Sequence, residues 1–146
     1  MLWKSNITNL PAFIFQMIDH IYISDHRGIY FSSSFSLLIN TTFLKERSII
    51  INETKPNQSL FLLQKDTNGQ SYSYNITFLS NEIAKASENH QKILLYSDDY
   101  NASCSLFINY VMSHYHFTKI DIQHMIMSRP MDSALRESME NELNNN

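Results

Sequence analysis

At 146 residues the chain suffices for one domain with a proper core and falls short of two ordinary ones. Hydrophobic residues make up 43% and charged residues 17%, a globular composition. The formal net charge of −3, with no stripe of Lys and Arg, argues against a nucleic-acid partner.

The amino-terminal stretch carries an apolar patch from Pro11 to Ile18. Gln16 interrupts it, it has no small-residue cleavage site, and it is too short to span a bilayer. Neither a signal peptide nor a membrane partner is therefore expected. Cys104 is the single cysteine, so no intramolecular disulfide can form. That suits a reducing compartment, and the expected location is cytoplasmic or nuclear. Asn-x-Ser/Thr sequons begin at Asn6, Asn40, Asn52, Asn57, Asn75 and Asn101. In a chain this rich in Asn, Ser and Thr they are read as chance.

Taken in order, His20–Ser24 (HIYIS) has the β-branched and aromatic content of a strand, ended by Asp25–Gly28. Phe35, Leu38, Ile39, Thr42 and Phe43 recur at roughly helical spacing and predict a helix near 34–46. The continuous apolar runs Ser48–Asn52 (SIIIN) and Leu60–Gln64 (LFLLQ) predict strands buried on both faces. Loops containing Pro56 and Gly69 follow them. Ile76, Leu79, Ile83 and Ala86 share one face of a helix near 74–87, after which Lys92–Tyr96 (KILLY) reads as a further buried strand. Cys104, Phe107, Ile108, Val111 and Met112 make the stripe of a helix near 104–115. Thr118 with Asp121 resembles a capping box opening a helix near 119–127, which Arg129–Pro130 ends. Asp132 can cap a last helix near 132–143. Buried strands alternating with amphipathic helices predict an α/β domain with a mostly parallel central sheet, helices on its faces and a helical carboxyl-terminal cluster. The whole chain, 1–146, reads as one domain with its core between about 18 and 143.

This order of elements, with several scattered positions, resembles the small dual-specificity protein phosphatases of the cysteine-dependent tyrosine phosphatase superfamily. "IDHIYIS" is similar to the family's opening strand, and "LKERSIIIN" to its "L-x-x-x-x-I-T-H-I-L-N" segment. "KILLYS" stands where the family has an apolar strand ending in His-Cys. "NYVM" (Asn109–Met112) resembles "A-Y-L-M", and "MSRPM" (Met127–Met131) a downstream Arg-Pro motif. Asp66 lies 31 residues before Ser97, close to the family's gap between general acid and nucleophile.

The resemblance implies a reaction that needs a His-Cys-x5-Arg-Ser/Thr loop at a strand-to-helix junction. A thiolate attacks phosphorus, made stable at neutral pH by backbone N–H groups and the helix amino terminus. The arginine forks onto two phosphate oxygens, and an aspartate protonates the leaving group. The corresponding stretch here is Tyr96, Ser97, Asp98, Asp99, Tyr100, Asn101, Ala102 and Ser103. With the strand as guide, Tyr96 replaces the histidine, Ser97 the cysteine and Ser103 the arginine. With the following helix as guide, the loop is one residue shorter and Ala102 or Ser103 falls under the arginine; alternatively, Tyr96 takes the cysteine position. In every register nucleophile and arginine are absent. A serine needs a base to attack, and no histidine is near in sequence. Asp98 and Asp99 add repulsion: about 3 kcal/mol for each unit charge about 5 Å from another at an effective dielectric near 20.

No residue is thus expected to be catalytically competent. Asp66, at the remnant general-acid position, reads as a solvated turn residue, and Cys104, on an apolar stripe, as a core thiol. His114, His116 and His124 show no standard ligand spacing, so no metal and no cofactor are expected. Tyr110, Tyr115 and Phe117 read as packing, whereas Tyr72 and Tyr74 suit a partner surface or helix-entry packing equally. The function implied is that of an inactive phosphatase-like module that binds proteins, such as kinase-pathway proteins or phosphatase substrates. An unconventional hydrolase on the same scaffold is the alternative.

Overall fold

The structure, a computed structural model, describes residues 10–41, 58–62, 73–97 and 100–145. Within them five strands form one sheet in the order β1-β2-β5-β3-β4. These are β1 (Ile14–Ile18), β2 (Ile21–Asp25), β3 (Leu37–Asn40), β4 (Ser59–Leu62) and β5 (Ile93–Ser97). The β1–β2 pair is antiparallel; β2–β5, β5–β3 and β3–β4 are parallel. The helices are α1 (Ser73–Glu88), α2 (Asn101–His114), α3 (Lys119–Ser128) and α4 (Ser133–Asn144). A 3-10 segment, His26–Ser34, follows β2. The expected α/β architecture with a mostly parallel sheet is therefore the observed one.

Alternation along the strands divides the interior in two. Ile21, Ile23, Leu37, Ile39, Ile93 and Leu95 face the four helices, and with Leu79, Ile83, Phe107, Ile108, Ile122 and Leu135 they make the larger core. Leu38, Leu94 and Tyr96 point the other way, into a smaller cluster with Ile14 and Phe35 that Leu10, Phe13, Ile29 and Phe31 cover. β5 lies in the middle of the sheet and is buried throughout, as its continuous apolar run predicts. Gly28 is buried where the 3-10 segment crosses β2 and β5. A Cβ there would run into Ser24 Oγ and come within 3.2 Å of Leu94 Cδ2, so the close approach requires glycine.

Two expectations are corrected. The helix near 34–46 is not formed over its first part: residues 37–40 are β3, and 42–46 lie outside the described residues. Leu37-Leu38-Ile39 is an apolar run sandwiched between β4 and β5 with both faces covered, and such a run satisfies helical spacing by coincidence. Nor does the core begin at about 18. Residues 14–18 form edge strand β1, with Ile14 and Met17 buried. A register shift between Gln16 and Ile18 turns Met17 and Ile18 both toward the helix-side core. Helix α2 begins at Asn101, three residues ahead of the expected 104. The strand expected over 48–52 falls outside the described residues, and of 60–64 the part to Leu62 is strand.

Candidate functional site

The parallel strands β2, β5 and β3 end side by side, and α2 starts above them. In an open α/β sheet this carboxyl edge is where ligands bind. Asp25 at the end of β2 is in register with Ser97 at the end of β5, and Asn40 at the end of β3 with Tyr96. Ser97, Asn40 and Thr41 are all buried.

Thr41, just past β3, ties the junction together. Its N–H donates to Tyr96 O at 2.9 Å, and its Oγ1 lies 2.8 Å from Ser103 Oγ and 3.3 Å from Tyr96 O. Ser103 is thereby turned into the fold, with none of its surface exposed. The neighbouring Ala102 is partly buried against the core. Cys104 is also fully buried, as the expectation of a core thiol requires.

Tyr96 points away from all of this, into the smaller cluster. Burial raises its phenol, and its hydroxyl has no hydrogen-bond partner among the described residues. Tyr100 lies at the start of α2, is 7% exposed, and lends the helix no side-chain cap. Burial pushes its phenol up to about 12, aided by the charges of Asp132 and Asp25 and by a hydrogen bond to Asp132, with Arg27 opposing. Asp132 in turn caps α4 by accepting from Leu135 N–H at 2.8 Å.

The site holds a cation that sequence reasoning did not single out. Arg27 donates from Nη2 to Asp25 Oδ2 at 2.7 Å and from Nε to both carboxylate oxygens at 3.1 Å, and its guanidinium carbon stands 4.0 Å over the Phe13 ring. Burial works against ionisation of Asp25, but the Arg27 side-chain and backbone hydrogen bonds and the Arg27 charge outweigh it and hold the carboxyl below its ordinary range. Beside this pair runs an open groove of about 550 Å³, lined by Phe13, Phe15, Arg27, Pro130, Met131 and Arg136 among others. The signal that would have found Asp25 and Arg27 is positional. They close a parallel strand at its carboxyl end, the edge to which site residues belong.

Of the sequence-predicted site residues, Tyr96, Ser97, Tyr100, Asn101, Ala102 and Ser103 occupy the β5-to-α2 junction together. Asp98, Asp99, Asp66 and Tyr72 lie outside the described residues, as does the side chain of Tyr74. His114 stacks on Tyr110 with ring centroids 5.2 Å apart, and Tyr115 bridges Tyr110 to Phe117 by ring contacts. Among the described residues no three His, Cys, Asp or Glu side chains converge as a metal-ligating group, and no helix is long and apolar enough to cross a membrane.

No family model matches the chain, and no curated protein matches it closely in sequence. Solved structures match its fold. Human DUSP28 superposes with a TM-score of 0.63 at 11% identity, over 93% of this chain and 96% of that one. The human tyrosine phosphatase-like serine/threonine/tyrosine-interacting protein gives 0.63 at 10% identity, over 88% and 93%. The active form of Tk-PTP gives 0.59 at 10% identity, over 93% and 99%. The chain thus has the dual-specificity-phosphatase fold, as the resemblance in its sequence implies. At such identities the likeness is one of fold, and it extends both to an active phosphatase and to a phosphatase-like interacting protein.

Proposed function

We propose that this chain is a catalytically inactive domain on the dual-specificity-phosphatase fold, serving as a protein-interaction or regulatory module in phosphorylation signalling in the cytoplasm or nucleus. The observation that carries the reading is the β5-to-α2 junction. Cysteine chemistry needs an exposed thiolate there; the junction offers Ser97, and the one cysteine is sealed in the core at Cys104. The two positions weighed for the arginine are Ala102 and Ser103, and Ser103 is hydrogen-bonded inside the fold. Arg27 brings a guanidinium nearby, but Asp25 already occupies its fork.

The alternative, a hydrolase using Ser97, needs a base. Asp25 is in register with Ser97, yet its carboxyl is held below the ordinary range by Arg27 and is a poor proton acceptor at neutral pH. The partners fitting the reading are kinase-pathway proteins or phosphatase substrates. Two measurements test it: hydrolysis of an aryl phosphate or phosphotyrosine peptide, expected at background, and capture of signalling proteins on the immobilised domain, expected to be selective. Turnover that disappears in Ser97→Ala overturns it in favour of the hydrolase.

A further inference from the structure

Helix α3 leaves one face without cover. Ile122, Met125 and Ile126 pack into the core, while Ile120, Gln123, His124 and Met127, at i, i+3, i+4 and i+7, are all exposed. After Tyr30, Met127 (78%) and Ile120 (63%) are the most exposed large hydrophobic side chains among the described residues. Single exposed apolar residues are ordinary; here two share one stripe, with only Gln and His between them. A groove of about 300 Å³ runs beside the stripe between α3 and α4, lined by Gln123, Ile126, Met127, Glu140, Leu143 and Asn144.

The charges beside the stripe point to what fits it. Lys119 precedes Ile120 at the start of α3, and Glu140 lines the groove with Met127. Both are exposed, and neither belongs to an ion pair among the described residues. The stripe is also its own complement. Two α3 helices packed antiparallel about a two-fold axis between positions 123 and 124 set Ile120 of each copy against Met127 of the other, at the mouth of the groove. Gln123 then meets His124, an amide against an imidazole that can share a hydrogen bond. Lys119 shares the groove side of α3 with Gln123 and Ile126, at i+4 and i+7. The same axis therefore brings its ammonium to Glu140 of the other copy.

We propose that this face is the contact of a weak symmetric homodimer, α3 against α3, with Ile120 and Met127 at its apolar centre and a Lys119–Glu140 pair at each end. A helix of 10 residues and the groove beside it offer less than the about 800 Å² per partner of a standard interface, so association is expected on the order of tens of micromolar. No residue of the Ser97 junction takes part, so this inference and the proposed function fail separately.

The test is sedimentation velocity of the full chain over a wide concentration range, about 5 to 500 µM, at low ionic strength, where exposed pairs are least screened. The mass should rise with concentration from that of one chain toward that of two. Met127→Gln should weaken association about tenfold. Lys119→Glu and Glu140→Lys should each weaken it about fivefold, because each alone opposes like charges at both ends. An equimolar mixture of these two variants should associate as the parent does, since every pair across a mixed dimer is again of opposite sign. The substituted positions are exposed, so the variants should fold, which thermal melts check. A chain that stays monomeric at the highest concentration overturns the proposal and leaves the stripe to a different protein. Association that Met127→Gln leaves unchanged, or a mixture that associates no better than its components, also overturns it.

Discussion

Thr41 Oγ1 donates to Tyr96 O at 3.3 Å and shares a hydrogen bond of 2.8 Å with Ser103 Oγ, in a place water does not reach. Valine at 41 has the same shape without the hydroxyl, so it strands Ser103 in a buried site. Leaving such a group unpaired costs about 1–3 kcal/mol, and Thr41→Val is expected to lose that much in a denaturant titration. Tyr96 presents the opposite case. Its hydroxyl is already buried with no partner among the described residues, so the folded state carries the desolvation cost. Tyr96→Phe is therefore expected to be neutral or stabilising by up to about 1 kcal/mol in the same titration. Tyr100 adds a pH signature. Its folded-state value, raised to about 12, lies above the ordinary value of about 10. Its neutral phenol therefore contributes stability that is complete below about pH 10 and lost as pH rises through about 12. Tyr100→Phe should remove part of the stability loss across that alkaline window, with no change in slope between pH 6 and 8, as read from melts at a series of pH values.

Among the elements, α3 shows how well a local signal can be read. Thr118 Oγ1 accepts from Asp121 N–H at 3.2 Å, and Asp121 Oδ2 accepts from Thr118 N–H at 2.8 Å. This is the box that the spacing of the two residues predicts. The hydrogen bonds from Thr118 keep the Asp121 carboxyl below its usual range. Thr118→Ala should cost about 1 kcal/mol of global stability by denaturation, since α3 packs Ile122 and Ile126 into the core. β3 shows where reading fails. Phe35, Leu38 and Ile39 fit a helical stripe, and what makes 37–40 a strand is its berth between β4 and β5, which no local pattern contains. β1 is invisible for a related reason: it is a short edge strand with a register shift, so its alternation breaks at Met17. The site divides in the same way. The β5-to-α2 junction is legible because a buried run, a polar loop and an amphipathic stripe follow one another along the chain. Asp25, Thr41 and Asp132 are not legible, because they reach the junction only through strand order and helix packing.

For the whole molecule, the sharpest question is what separates this junction from a working phosphate loop. Restoring the nucleophile alone, Ser97→Cys, is expected to give no turnover, since no arginine would bind the phosphate oxygens. The second step depends on which residue stands in the arginine's place. Ser103 is fully buried and bonded to Thr41, so Ser103→Arg forces a guanidinium into the core. An unpaired buried charge costs at least several kcal/mol, and Ser97→Cys/Ser103→Arg should fail to fold or should melt far below the parent. Ala102, on the first turn of α2, packs against the core but is only partly buried, so Ser97→Cys/Ala102→Arg should be the better tolerated of the two and should fold. Asp98 and Asp99 still flank the loop in sequence, each opposing a bound dianion by about 3 kcal/mol per unit charge at about 5 Å. That repulsion cancels what one arginine supplies, so this variant, like the parent, should bind no vanadate at millimolar concentration. Adding Asp98→Asn and Asp99→Asn removes the repulsion while nearly preserving shape, and this fourfold variant should be the first to show vanadate-dependent shifts in NMR spectra, confined to residues near 97–104. Vanadate binding by the parent itself would mean that the loop still reads phosphate. The module would then recognise phosphorylated partners through this edge.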